Sequence, residues 1–383
     1  MSTALHRILP RIMPPRIAGD TANQMFSPFL GVIAAGIGIT NQQLGLLVSL
    51  RSAFGLAGPF LGELADRHGH LRLARVGIVM MAASLLMLAA SNSLVTAALA
   101  MAPMGLALGL INPALQAYVS ANASHRNRAR GMGIFEYSWA LAGIIGLPLL
   151  GWLISAFGWR VALTTLAVLI LLAMLGMRSL SPAPVQAAAQ SHAAPGLRAS
   201  LTLWSGICAV GLTFYASLNA MIIHGVWLAE AFAFTPGTLG LLAIALGLAD
   251  LSGSGFVSLA ADRIGPRRVV LAAGLLSVGA YLLPHLGTGL ALAIGALFLM
   301  RMLMQASFVA LLTILSEQLP ARRARVLAFA AASGQVGMAV AGASGPWLYG
   351  RLGMPGVGTV SAAAALAAFV LVLIFMKEKR EVA

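Results

Sequence analysis

Gly62-Glu63-Leu64-Ala65-Asp66-Arg67-His68-Gly69-His70-Leu71-Arg72 and, 196 residues later, Ser258-Leu259-Ala260-Ala261-Asp262-Arg263-Ile264-Gly265-Pro266-Arg267-Arg268 are two renderings of one phrase. Each copy closes a long apolar run and opens another. Each is therefore a charged tight turn between two membrane-length segments, and its place is a bilayer surface. The basic residues put both turns on the cytoplasmic side, and the glycines permit a turn that a Cβ would obstruct.

Composition points the same way. The chain is 60% hydrophobic and only 9% charged, with a mean hydropathy of +0.91, whereas a soluble domain carries about 25% charged residues. One helical span needs roughly 20 apolar residues, which leaves room for about twelve spans with short connections. The net charge of +14 is scattered between apolar runs, so positive-inside topology explains it and nucleic acid is not an expected partner. Cys208 is the single cysteine, which rules out a disulfide framework and a cysteine metal site. The stretch from Met1 to Arg16 is basic and broken by prolines, so no cleavable signal peptide is expected.

The repeated phrase resembles the signature loop between helices 2 and 3 of the major facilitator superfamily, Gly-x-Leu-Ala-Asp-Arg-x-Gly-Arg/Lys-Arg/Lys. The first copy matches at Gly62, Leu64, Ala65, Asp66, Arg67 and Gly69, and departs at His70 and Leu71. The second keeps Ala261, Asp262, Arg263, Gly265 and Arg267, and departs at Ser258, Ala260 and Pro266. The resemblance implies an all-α membrane protein of twelve transmembrane helices in two pseudo-symmetric six-helix bundles, with substrate near the midplane between them. It implies a transporter rather than an enzyme, with no cofactor beyond a proton gradient, and it assigns gating to Gly62, Asp66, Arg67, Gly69, Asp262, Arg263, Gly265 and Arg267.

In chain order, spans are expected near 17–37, 43–64, 73–90, 96–118, 132–156 and 161–177, forming a bundle within 1–178. Residues 179–200, with Ser181-Pro182-Ala183-Pro184, read as a cytoplasmic linker. Spans near 201–226, 238–260, 269–284, 289–314, 326–349 and 356–376 form the second bundle within 201–383. The repeat extends further: Arg128-Ala129-Arg130 answers to Arg323-Ala324-Arg325, Trp152-Leu153 to Trp347-Leu348, and Asn23 to Asn219. Basic residues at both ends place both termini in the cytoplasm, and the expected location is a bacterial plasma (inner) membrane.

Ten acidic residues are present, and a charge at a helix centre costs roughly 2.5–3.5 kcal/mol on insertion scales, so each must face a partner or a wet cavity. Asp20, Glu136 and Asp250 are the candidate proton carriers. Arg51 and Arg301 are the basic residues at mid-span, and Arg301 and Asp250 are expected to pair. Asp20 follows Arg16 by four residues, on the same helical face. The superfamily lines its cavity with spans 1, 4, 7 and 10. By that resemblance Asn23, Gln24, Asn112, Gln116, Tyr215, Asn219, His224, Arg301 and Gln305 are cavity candidates, and Arg51 joins them as a buried cation. Any one of these side chains is more often a satisfied interhelical hydrogen bond than a ligand contact. Gly143-Ile144-Ile145-Gly146-Leu147-Pro148-Leu149-Leu150-Gly151 resembles the glycine/proline motif of exporter branches, such as drug and sugar proton antiporters. Ordinary close packing of spans 5 and 8 would produce the same pattern.

The expected function is secondary active transport of a small organic molecule by alternating access, in the form of proton-coupled efflux. The alternative is an organic-anion carrier in which Arg51 and Arg301 hold a carboxylate or phosphate. The expected partners are that solute and the lipid bilayer, for a monomer. The chain shows no HExxH, no Cys/His cluster and no phosphate loop, so no metal or enzymatic site is expected.

Overall fold

The computed structural model describes residues 3–58, 61, 64, 68–122, 128–181, 200–286, 289–319 and 323–376, without the side chains of 3–5, 128–133, 258–262 and 323–325. Among the described residues every regular element is a helix. The first series is α1 (Thr3–Gln24), α2 (Phe26–Ile37), α3 (Asn41–Gly55), α4 (His70–Ala89), α5 (Leu94–Asn122), α6 (Arg128–Leu141), α7 (Leu147–Phe157) and α8 (Trp159–Leu175). The second is α9 (Leu201–Met221), α10 (His224–Phe232), α11 (Pro236–Ile264), α12 (Pro266–Leu282), α13 (Leu290–Gln318) and α14 (Arg323–Phe375).

Nine helices among the described residues are long and apolar enough to cross a membrane, and α2 and α3, bent by 116° at a short break, meet the same criterion only taken together. The twelve-helix plan follows once breaks are recognised. α14 runs for 53 residues, about 80 Å if straight, or well over twice the roughly 30 Å of a bilayer core. It breaks at Gly353, where φ is 64° and ψ −171°, and so supplies spans 11 and 12. α6, a π-helical turn at Ala142–Gly146 and α7 together form span 5. Span 1 is α1 plus α2, and it differs from the expected start at residue 17. The segment from Thr3 is helical through Pro10, Pro14 and Pro15, with Ile8, Leu9 and Ile12 buried. That apolar face packs in spite of the prolines.

The turns have local causes. Gly38 closes α2 in the left-handed region, with φ at 83°. Thr40 and Gln43 then open α3 with a reciprocal capping box. In the two signature turns, Gly69 (φ 93°) and Gly265 (φ 86°) begin α4 and α12. Nothing lies within 4 Å of a Cβ built on Gly69, so glycine is required there by backbone conformation rather than by space.

Two compact units emerge. One comprises 1–194 with 234–247, the other 195–233 with 248–383. The boundary therefore falls inside α11 rather than only at the linker. The first segment of α11 clusters with span 5: Gly143 lies against Gly247, Gly240 against Leu147, Pro148 and Gly151, and Gly237 N donates to Ser155 Oγ at 2.9 Å. Lipid tails are as apolar as leucine, so helices in a bilayer associate through close packing and hydrogen bonds rather than by hiding from solvent. The glycines serve that end elsewhere too. A Cβ on Gly105 would run into Arg51 O, one on Gly253 into Met302 O, and one on Gly337 into Gly211 O.

Candidate functional site

Span 1 and span 7 both break at matching points of the repeat. Pro28 has no N–H for the carbonyl of Gln24, and its ring crowds that carbonyl. The helix is interrupted at Met25, and Phe29 lies outside helical geometry at φ −109°, ψ 15°. In the second half, α9 ends at Met221 and α10 starts at His224. Met221 lies 196 residues after Met25, the same offset as the signature phrases. The freed carbonyls are put to use. Asn23 O accepts from Arg51 Nη1 at 3.0 Å, and Met221 O meets His224 Nδ1 at 2.5 Å. His224 is buried rather than at an interface.

In the first unit the acids gather around Arg16. Its Nε donates to Asp20 Oδ2 at 3.0 Å, and its Nη2 stands 3.9 Å from Glu136 Oε2. Ser138 Oγ donates to the same Asp20 oxygen at 2.7 Å, and Gln116 Nε2 donates to Glu136 Oε1 at 2.9 Å. The ring of Phe135 lies 4.3 Å from the Arg16 guanidinium, a contact that stabilises a desolvated cation. Asp20 is 2% exposed in its side chain, whereas Glu136 is 52% exposed. One guanidinium thus serves two carboxylates, one sealed and one open. The π-helical turn of span 5 helps assemble this cluster, since a Cβ on Gly146 would collide with Thr21, the neighbour of Asp20. Gln24 Nε2 takes the carbonyl of Trp139 just ahead of the turn, at 2.9 Å.

Arg51 sits apart from these acids. It is 6% exposed, with the ring of Phe26 4.9 Å from its guanidinium. Its Nε has no hydrogen-bond partner, and no ion pair to it occurs among the described residues. Asn112, in α5, is half-buried.

In the second unit Arg301 Nη2 donates to Asp250 Oδ2, which makes the expected pair. One turn along both helices, Gln305 Nε2 donates to Ser254 Oγ at 3.1 Å. These two rungs form because Gly253 lets α11 and α13 touch at Met302. Asn219 is consumed by structure: its Nδ2 donates to Ser361 Oγ at 3.1 Å, and its Oδ1 accepts from Ser344 Oγ at 2.8 Å. Tyr215 stands at the edge of that group, its hydroxyl 3.3 Å from Ser344 Oγ. A small cavity of about 20 Å³ lies between α9, α12, α13 and α14, with Thr213, Ser277, Tyr281 and Ser307 as the polar part of an otherwise apolar lining.

Of the gating candidates, Gly62, Asp66 and Arg67 lie outside the described residues, as does the Asp262 side chain. Arg263 is exposed. Arg267 reaches the end of α14, donating through Nε to Met376 O at 2.7 Å and through Nη2 to Leu373 O at 2.9 Å. A cation there satisfies carbonyls that have no helical partner and meets the negative end of the helix dipole. Sequence reasoning missed Ser138 as a partner of Asp20, and it missed both helix breaks. Asn23-Gln24-Met25 with Asn219-Ala220-Met221, and Pro28 beside the first, were the available signals.

Comparison with known proteins adds the following. The model of the Major Facilitator Superfamily matches residues 17–227 and 203–383. A protein named "Probable 4-methylmuconolactone transporter", from Cupriavidus pinatubonensis, is 26% identical over 320 residues, covering 78% of this chain and 72% of its own. The "Uncharacterized MFS-type transporter YwfA" of Bacillus subtilis is 24% identical over 364 residues, covering 92% and 88%. Among solved structures, a bacterial homologue of the human lysosomal transporter Spinster, in an inward-facing and occupied conformation, superposes with a TM-score of 0.77 at 13% identity, covering 98% of this chain and 97% of that one.

Proposed function

The chain belongs to the major facilitator superfamily, and from that premise we propose that it is a proton-coupled secondary transporter that carries a small organic solute by alternating access. The observation that carries this reading is the Arg16 cluster, with two carboxylates for one guanidinium. Asp20 is sealed and doubly held, so it anchors Arg16. Glu136 is open and loosely held, so it is the group that exchanges a proton with water. A proton on Glu136 leaves one acid for one base and removes the uncompensated charge that opposes moving this surface through an apolar setting. Protonation thereby biases the balance between states that face opposite sides of the membrane. Similarity to the relative named for 4-methylmuconolactone supports a small organic cargo. The membrane is the plasma (inner) membrane of a bacterium, with both termini cytoplasmic.

Substrate charge decides the direction of coupling. For a cation, a proton on Glu136 raises the local positive charge and opposes binding. Solute and proton then exchange, which is efflux against inward proton flow, the mode suggested by the glycine/proline series of span 5. For an anion, the same proton favours binding and the two travel together. Arg51, a buried cation whose Nε has no hydrogen-bond partner among the described residues, favours this second reading of organic-anion carriage. The second half of the sequence-based clamp is less available, because Arg301 is paired with Asp250.

The test is solute flux into proteoliposomes under a pH gradient of either sign, with a panel of carboxylates, sugars, amino acids and cationic drugs. Accumulation of at least one solute that reverses when the gradient is reversed supports proton coupling. Flux of a transported solute that ignores the gradient rejects it.

A further inference from the structure

We infer that the unpaired Nε edge of Arg51 is a binding site for the carboxylate of a small monoanion with an apolar body, an inference that rests on the transporter reading and names its substrate class. A guanidinium offers a carboxylate two parallel N–H donors along one edge, Nε with Nη2. In Arg51 the remaining nitrogen, Nη1, is committed to Asn23 O at 3.0 Å. Phe26 takes one face of the group. Nε, with no protein partner, marks the edge that remains. The side chain is 6% exposed, and a buried donor left unmade costs more than any ordinary hydrogen bond returns. Arg16 and Arg301 differ in kind: Arg16 holds Asp20, and Arg301 holds Asp250. Among the described residues the positive charge of Arg51 is met by a backbone carbonyl and an aromatic ring.

The break in span 1 supplies the rest of the device. Because Asn23 O is turned out of the helix and holds Nη1, the guanidinium is fixed before any solute arrives, which reduces the ordering that binding requires. A single guanidinium charge beside Phe26 suits a monoanion with an apolar body. A phosphate dianion would call for a second cation, and Arg301 is engaged elsewhere.

The experiment is equilibrium binding to the purified full chain in detergent at neutral pH, with no gradient, so that it reports on this site and not on proton coupling. The probes are benzoate, hexanoate and pyruvate, with benzamide as the uncharged counterpart of benzoate and inorganic phosphate as the competing anion. Wild-type protein is expected to bind at least one of the three carboxylates, and benzoate in preference to benzamide. Arg51→Gln is expected to weaken that binding by about 10- to 100-fold, the loss of a charge-assisted contact. Arg51→Lys keeps the charge without the fork and is expected to fall between the two. Because Arg51→Gln could disturb folding, the comparison of benzoate with benzamide on the wild-type protein stands as an independent arm. Binding of none of the three carboxylates, equal binding of benzoate and benzamide, tighter binding of phosphate, or unchanged affinity in Arg51→Gln would each overturn the assignment. If carboxylates bind as expected while transport ignores the pH gradient, the coupling reading fails and this site stands.

Discussion

Asp250→Asn breaks the ion pair inside the second unit, and the structure sets the size of the effect. The Asp250 side chain is 4% exposed and that of Arg301 15%, so the variant leaves a guanidinium with little water to turn to. Removing one partner of a buried pair costs about 3–5 kcal/mol. The residual exposure of Arg301 places the expected loss near the lower end, about 3 kcal/mol, or roughly a hundredfold in the folding equilibrium. Arg301→Gln leaves the mirror-image defect, a buried carboxylate without its cation, and is expected to cost a similar amount. The double variant Asp250→Asn/Arg301→Gln buries no charge at all and is expected within about 1 kcal/mol of wild type. The neighbouring rung is the internal standard: Gln305→Ala removes a neutral bond to Ser254 and is expected to cost about 0.6 kcal/mol, the average for hydrogen bonds inside membranes. Reversible unfolding in mixed micelles, followed by tryptophan fluorescence, gives all four values. Asp250→Asn as stable as wild type, or a double variant less stable than either single one, would refute the argument.

Three further outcomes follow from the packing. Gly253→Val drives a side chain into the backbone at Met302; a loss of about 1–3 kcal/mol is expected from overpacking, with the Asp250–Arg301 pair disturbed as well, checked by the same unfolding assay. Gly69→Val meets no atom within 4 Å but must adopt a φ of 93°, so it is expected to cost about 1–3 kcal/mol by backbone strain alone, and Gly69→Asn less, measured as thermal stability in detergent. Asn219→Leu strands Ser344 and Ser361 and is expected to lower stability by about 1–2 kcal/mol, while carboxylate affinity stays at the wild-type value.

The sequence revealed what repetition and composition can carry. The duplicated signature phrase announced two related halves, and Gly69 and Gly265 within it lie where the turns demand a positive φ. The pair of Arg301 with Asp250, 51 residues apart, was legible because two opposite charges at similar depth in apolar helices must neutralise one another. Arg16 with Asp20 was legible from their spacing. What stayed hidden depends on backbone geometry. Ser138 reaches Asp20 from 118 residues away, across a contact that exists only because Gly146 admits Thr21. The partner of Arg51 is a carbonyl, which no side-chain pattern records, and it is exposed by a break that Pro28 made plausible without fixing its register. Position alone left Asn219 open to either a cavity or a packing role, and its hydrogen bonds to Ser344 and Ser361 are visible only in the structure.

Proton movement measured together with solute movement tests the central claim most directly. Proteoliposomes loaded with a pH-sensitive dye should show wild-type solute flux accompanied by a proton flux that stops when solute is omitted. With Glu136→Gln, exchange of labelled for unlabelled solute should persist while the solute-dependent proton flux vanishes. An unchanged proton flux per solute in Glu136→Gln would contradict the assignment of the Arg16 cluster as the coupling site.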